Sequence, residues 1–262
     1  MNAPSTGRPA APESSQASRR EAIAASLRAD ILRGRFRPGE RLPAERDLAV
    51  RLGAHRSSVR EALRSLEQLG LVSIRRGGGA TVRTLREASL EVVPHLLVVD
   101  GRLDRALLEQ VLDVHELLVA GAARLAVERA DDDARLRAHE LLGRLADPAA
   151  SDDAFLDAAT ALLDLIVEAS GNLVLALARR AVNPLFEPRF REVRKRFRPE
   201  PARLAPLAAG LDAAIDARDP DAAEDRVRRL LRLHRAPALD ALETLHERLR
   251  APGPDTPQED SP

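Results

Sequence analysis

Apolar residues in the first third of the chain recur every three or four positions, the spacing that turns one face of an α-helix toward a core. Ile23, Leu27, Ile31 and Leu32 make the first stripe, which begins near Arg19 and stops at Gly34. Arg37-Pro38-Gly39-Glu40 then predicts a turn, because Pro presets φ and Gly lets the chain reverse. A short helix follows from Ala44 to Leu52, with Pro43 near its first turn, where a missing N–H is harmless, and Gly53 as its stop. After Ala54-His55 a third helix runs to about Leu69 and buries Val59, Ala62, Leu63, Leu66 and Leu69. Leu71 to Ile74 and Ala80 to Arg83 then flank Arg75-Arg76-Gly77-Gly78-Gly79, which predicts a hairpin with a basic, glycine-rich tip.

Residues 85–90 read as a linker, and beyond them everything to about Arg250 reads as helix with no strand. Leu107, Val111, Val114, Leu118, Ala122 and Leu125 keep the helical period through one long element. Phe155, Ala159, Leu162, Leu163 and Ile166 keep it through another, behind the cap-like Ser151-Asp152-Asp153. Further helices are expected over 172–198, broken near Pro184, over Ala202 to Ala217, and over Pro220 to Arg250, interrupted near Pro237. Roughly six or seven such helices predict an antiparallel bundle. The expected fold is mainly α: a three-helix unit with a β-hairpin over residues 18–84, and an all-α bundle over residues 91–250. Residues 1–17, rich in Pro, Ser and Ala, and residues 251–262 predict disordered tails.

Composition narrows this. Aromatics are 2% of the chain, with no Trp or Tyr, so the cores must be built from Leu, Val and Ala. The absence of Cys removes disulfides and thiolate metal sites. No apolar run resembles a signal peptide or reaches the ~18 residues of a membrane span, so a soluble, cytoplasmic protein is expected. The formal net charge of zero conceals a division: residues 19–86 hold 16 Arg against 7 acids, and the remainder of the chain offsets that surplus. Arg gathered on one module is the electrostatic footprint of a phosphate-backbone partner.

Arg56, Arg60 and Arg64 recur every four residues along the third helix, beside Ser57 and Ser58 at its N-terminal end. Two helices joined at a tight Gly-containing turn, the second one basic, match a helix-turn-helix, whose second helix enters the major groove of DNA. Arg can grip guanine through two hydrogen bonds, and hydroxyls and helix N-terminal amides can hold phosphates. The glycine-rich hairpin tip fits a wing that lays Arg75 or Arg76 along the minor groove. It is neither a P-loop, since no Lys-Ser/Thr follows, nor a dinucleotide fingerprint, since no helix opens after it.

Arg33-Gly34, Pro38-Gly39-Glu40-Arg41-Leu42-Pro43-Ala44-Glu45-Arg46-Asp47-Leu48-Ala49, Leu52-Gly53, Arg56 through Val59-Arg60-Glu61-Ala62-Leu63, Leu66-Glu67 and Gly70-Leu71-Val72 together resemble the winged helix-turn-helix signature of GntR-family transcription regulators. The resemblance covers about a quarter of the chain. It implies DNA contacts from Arg46, His55, Arg56, Ser57, Ser58, Arg60 and Gly77, and operator binding as a homodimer, as a repressor. His55 departs from the Ser or Thr usual at its position. Either it takes over the phosphate contact, or Ser57 or Ser58 caps the helix instead; Ser58-Val59-Arg60-Glu61 would fit a capping box.

The bundle resembles the effector domain of the FadR branch, anchored on Glu168-Ala169-Ser170-Gly171-Asn172 and on Ala214-Ile215 with Asp219-Pro220-Asp221-Ala222-Ala223. Many members hold a divalent metal there. Counted from the anchors, the ligand positions fall on Ala159, Leu163, Ala208 and Leu230, all apolar, which implies no metal, no other cofactor, and a pocket for an apolar effector such as an acyl-CoA or fatty acid. His95, His115, His139, His234 and His246 show no pair three or four apart. Catalysis finds little support: Asp113 and His115 lie on different helix faces, and Asp131-Asp132-Asp133 reads as a cap. The competing function is a DNA or nucleoid binder without an effector.

Overall fold

The computed structural model describes residues 13–75, 77–99, 102–182, 195 and 198–250. The chain forms two compact units, 1–92 and 93–262. The sequence-predicted tails at 1–12 and 251–262, the break near Pro184 and the position of Arg76 lie outside the described residues.

In the first unit, helix α1 spans Glu13–Leu32, α2 spans Glu45–Arg51 and α3 spans Arg56–Gln68. Ile23, Leu27 and Ile31 of α1 are buried as the stripe predicts, and α1 packs on α3, whose Val59, Ala62, Leu63 and Leu66 are buried. The helix begins at Glu13, earlier than Arg19, so residues 13–17 are not a disordered tail. Once packing has nucleated a helix, each further turn adds hydrogen bonds without a new nucleation cost, and no Pro intervenes after Pro12.

Two helix ends fix the turns around α3. At the end of α2, Ala54 N–H donates to Ala49 O at 2.9 Å and Gly53 N–H to Val50 O at 3.3 Å. At the end of α3, Leu71 N–H donates to Leu66 O and Gly70 N–H to Glu67 O, both at 2.9 Å. Both are Schellman closures that need a left-handed residue, supplied by Gly53 at φ 57° and Gly70 at φ 71°.

Strands β1 (Val72–Arg75) and β2 (Gly79–Val82) pair antiparallel, with Val72 opposite Val82 and Arg75 opposite Gly79. Residues 39–42 do more than turn. Arg41 bridges to Thr81, and Leu42 N–H donates to Ala80 O at 2.9 Å, so this segment lines the outer edge of β2. Residues 85–90 are not a free linker either. They form two 3₁₀ turns, Leu85–Glu87 and Leu90–Val92, and Ser89 N–H donates to Leu69 O at 2.9 Å.

The second unit opens with α4 (Val93–Leu97) and a two-residue hairpin, β3 (Val98–Val99) against β4 (Arg102–Leu103). This corrects the strand-free expectation. Asp100-Gly101 between them is a strong hairpin dipeptide that the helical pattern on either side masked. The bundle follows: α5 (Arg105–Arg129), α6 (Asp132–Ala146), α7 (Asp152–Ala169), α8 (Leu173–Val182), α9 (Pro201–Asp216) and α10 (Pro220–Arg250). Helix α5 packs against α10, α7 and α8, while α6 packs against α7 and α9. Asp104, Asp131 and Ser151 cap α5, α6 and α7 through their side chains.

Among the described residues the shared core is aliphatic around one buried aromatic, Phe155, which stacks on the His234 ring at 6.0 Å. The buried face of α5 runs through Leu108, Val111, His115, Val119, Ala122 and Ala126, so it is turned by about one position from the predicted stripe, leaving Val114 exposed. Its polar members misled the pattern: Glu116 is buried because Arg232 of α10 grips it at 2.8 Å. Helix α10 continues through Pro237 without interruption. Burial of Leu239 against Leu97 and Leu108 opposes the ~3 kcal/mol a Pro costs inside a helix.

Candidate nucleic-acid interface

The turn Gly53-Ala54-His55 leaves a single extended residue before α3, and that residue is His55, at φ −75° and ψ 145°. His55 is therefore the N-cap, but its side chain makes no capping hydrogen bond. The expectation that Ser57 or Ser58 caps the helix is corrected. Both lie inside the first turn, because the Schellman closure of α2 consumes Ala54 and starts α3 at Arg56. Glu61 does not complete a capping box and instead accepts from Arg64 at 2.8 Å. The first amides of α3 consequently have no side-chain acceptor, next to an exposed His55, Arg56 and Ser57. Such an end carries partial positive charge and aims N–H groups outward.

The arginines are arranged differently from one another. Arg56 and Arg75 are exposed, and no ion pair holds either among the described residues. Arg46 is exposed beside Asp47, with Nε donating at 3.3 Å. Arg60 is committed to α2: its Nε donates to Glu45 Oε1 at 3.0 Å and its Nη2 to Oε2 at 2.7 Å. The hydrogen bond from Arg60 holds the Glu45 carboxyl below its ordinary range against the opposing effect of burial, with the charges of Arg60, Arg56 and Arg64 adding to the lowering.

The wing is tied to α3 by Glu67, whose Oε1 accepts from Ile74 N–H at 2.7 Å. At the tip, Gly78 N–H donates to Arg75 O at 3.0 Å and Gly77 is exposed at φ 73°. On α1, which packs against α3, buried Asp30 accepts from Arg35 and from Arg51 at the end of α2, each at 2.9 Å. Glu45 and Glu67 stand in the winged helix-turn-helix signature with no role assigned to them, and Asp30 stands outside it. Asp30 left one trace in the sequence, since an acid beside Ile31 and three residues from Leu27 stands on the buried stripe.

In the bundle, Ala208 and Leu230 are buried in the core, and Ala159 and Leu163 pack half-buried against it. A groove of about 460 Å³ lies along α6 and α7 instead, lined by Leu141, Arg144, Asp147, Asp157, Ala158 and Ala161. His139 of α6 lies between two carboxylates of α9, with Nδ1 2.6 Å from Asp212 and Nε2 3.2 Å from Asp216. Asp113 is exposed and paired with Arg235, while His115 is buried. Among the described residues, no three His, Asp or Glu side chains converge on a point where a metal could sit.

A basic helix seated on a short helix, with an uncapped N-terminus and a glycine-tipped wing on the same compact unit, defines a winged helix-turn-helix DNA-binding module joined to a mainly helical domain. The family model "Bacterial regulatory proteins, gntR family" matches residues 19–82, and "FCD domain" matches residues 110–233. The HTH-type transcriptional regulator Mce2R of Mycobacterium tuberculosis is 34% identical over 172 residues, 64% of this chain and 70% of that protein. The fatty acid metabolism regulator protein of Salmonella newport is 29% identical over 157 residues, 60% of this chain and 64% of its own. The solved structure of Streptococcus agalactiae GntR aligns with a TM-score of 0.42 at 23% identity, over 81% of this chain and 97% of that one. The chain belongs to the GntR family of bacterial regulatory proteins and carries an FCD effector domain. It is a helix-turn-helix transcriptional regulator, not an enzyme. Among the described residues, no helix is long and apolar enough to cross a membrane.

Proposed function

We propose that this regulator acts in the cytoplasm as a homodimer that represses transcription from a pseudo-palindromic operator. Arg56 and Arg46 read base edges and phosphates, His55, Ser57, Ser58 and the first amides of α3 hold a phosphate, and Arg75, Arg76 and Gly77 follow the minor groove. The observation that carries this reading is the start of α3, where open amides and an unpaired Arg56 share one exposed end. A two-fold pair of such heads matches the half-site geometry helix-turn-helix dimers require. Footprinting on the DNA upstream of its own gene is expected to protect an inverted repeat, and uniform coating would sink the proposal in favour of a nucleoid binder. Arg56→Ala should cost about 1–3 kcal/mol of discrimination at one base pair per half-site.

For the effector, the reading is an apolar, acyl-type ligand, a fatty acid or acyl-CoA, held in the bundle without a metal. Its support is the apolar chemistry of Ala159, Leu163, Ala208 and Leu230 and the similarity to the fatty acid metabolism regulator protein of Salmonella. Thermal shifts with acyl-CoAs, fatty acids and short carboxylates, with and without a chelator, test it. Stabilisation by the acyl ligands that survives chelation is expected. Tight binding of a short carboxylate that the chelator abolishes would overturn it.

A further inference from the structure

Arg179, on α8, is a guanidinium inside the effector domain, 9% exposed as a residue. Its Nη1 donates to Asp164 on α7, whose side chain is 58% exposed. Its Nε is buried and has no hydrogen-bond partner. A buried donor without an acceptor is rare in folded proteins and marks a place where a water, ion or ligand completes the geometry. The only other such orphan among the described residues, Arg135 Nε, belongs to a side chain 28% exposed and paired within its own helix to Asp132.

The unfilled edge has a chemical preference that the same chain displays elsewhere. Nε and Nη2 of a guanidinium point in parallel and match the two oxygens of a carboxylate. Arg60 grips Glu45 by that edge, at 3.0 and 2.7 Å, and Arg232 grips Glu116 by it, at 3.0 and 2.8 Å. In Arg179 the opposite corner, Nη1, is spent on Asp164, and Nε, itself buried, is left without an acceptor. Helix α8 packs on α5 and α7, whose inward residues are aliphatic, among them Val119, Ala122, Leu162 and Leu165.

We propose that Arg179 is the anion receptor of the effector domain, and that its Nε–Nη2 edge takes a free carboxylate borne on an apolar chain. This deepens the effector reading above and rests on it, choosing a fatty acid over its CoA thioester, which offers no carboxylate at the chain's head. The receptor needs no metal, because the guanidinium itself supplies the charge. Asp164 competes for the guanidinium charge through Nη1, so replacing its carboxylate with the neutral amide of Asn, which can still accept from Nη1, should tighten binding of an anion.

The test uses the full chain without DNA, so that a failure of effector binding is separate from a failure of operator recognition. Octanoate, 1-octanol, octanoyl-CoA and acetate are titrated by calorimetry and thermal shift against the parent, Arg179→Met and Asp164→Asn. Octanoate should bind the parent better than 1-octanol, octanoyl-CoA or acetate. Arg179→Met should fold, since an unbranched apolar side chain of similar length replaces a buried ion, yet lose roughly ten-fold or more of the octanoate affinity while octanol binding stays put. Asp164→Asn, whose exposed side chain makes it the safer variant to fold, should bind octanoate more tightly than the parent. No octanoate binding to the parent, octanoate affinity unchanged in Arg179→Met, or weaker binding in Asp164→Asn each overturns the proposal.

Discussion

At the scale of single residues, the interface is governed by which arginines are free and which are held. Arg56 waits in solvent, while Arg60, one turn along the same helix, is fastened to Glu45 across the helix pair. That difference separates a side chain that can search for a base from one whose direction is preset. Replacing Glu45 with Gln removes a negative charge and leaves the Arg60 guanidinium uncompensated, so binding to random DNA should rise while the ratio of operator to random affinity narrows. An unchanged ratio would show that Glu45 does not direct Arg60. The pair also leaves a mark on stability. The Arg60 hydrogen bond holds the Glu45 carboxyl below the ordinary glutamate range in the folded protein, so its contribution is present above the unfolded value and is lost as pH falls through the lower folded value. Melting curves taken from about pH 6 to about pH 3 should show the parent losing this increment and Glu45→Gln lacking it throughout; parallel profiles would contradict the assignment.

At the scale of elements, periodicity located the helices because Val59, Ala62, Leu63 and Leu66, or Phe155, Leu162 and Ile166, are apolar residues that do what apolar residues are expected to do. It failed where a partner distant in sequence changed a residue's preference. Glu116 looks outward in the sequence and lies inward because of Arg232, and Ser58 fits a capping box on paper while the closure of α2 sets the register. The candidate interface was legible on its exposed side, where Arg56, Ser57 and the wing follow from helix spacing and turn chemistry. Its supports Glu45, Glu67 and Asp30 were not, since their partners lie 15, 7 and 21 residues away.

Helix ends give two further tests. A Cβ on Gly70 would sit 2.8 Å from Glu87 O, on a backbone at φ 71°. Gly70→Ala should therefore cost more than the ~1–2 kcal/mol of a left-handed L-residue alone, read as a lowered denaturant midpoint. A smaller loss would mean that residues 85–90 yield easily. Arg218 closes α9 at φ 49°, the position that Gly fills after α2 and α3. Its N–H donates to Ile215 O at 3.1 Å and Asp219 N–H to Ala214 O at 2.9 Å, the same Schellman pattern. Arg218→Gly should stabilise the bundle by about 1 kcal/mol, visible as a rise of ~2–4 °C in Tm, because among the described residues the side-chain pair it forfeits is a loose 4.0 Å contact with Asp132. A fall in Tm would mean that this contact outweighs the backbone strain.

At the scale of the whole molecule, a zero net charge is divided into a basic unit and an acidic remainder. The attraction to phosphate is thus concentrated on the unit that carries α3 and the wing, while the excess of acids elsewhere in the chain disfavours coating DNA with the other surface. A regulator arranged this way should bind with a steep salt dependence that comes from few residues. Each phosphate neutralised contributes about −0.9 to the slope of log affinity against log salt on duplex DNA. Arg75, exposed at the end of β1 with no ion pair to break, is a residue whose loss changes that slope with little else. In a homodimer Arg75→Ala should flatten the slope by about 2, one phosphate per head, and lower affinity for operator and random DNA alike. Arg56→Ala should instead lower operator affinity more than random affinity. Titrations of both variants at several salt concentrations, on operator and on scrambled duplex, separate the two effects. Identical losses on both duplexes for both variants would mean that the first turn of α3 positions the protein without reading sequence, and that discrimination arises from Arg46 or from the shape of the DNA.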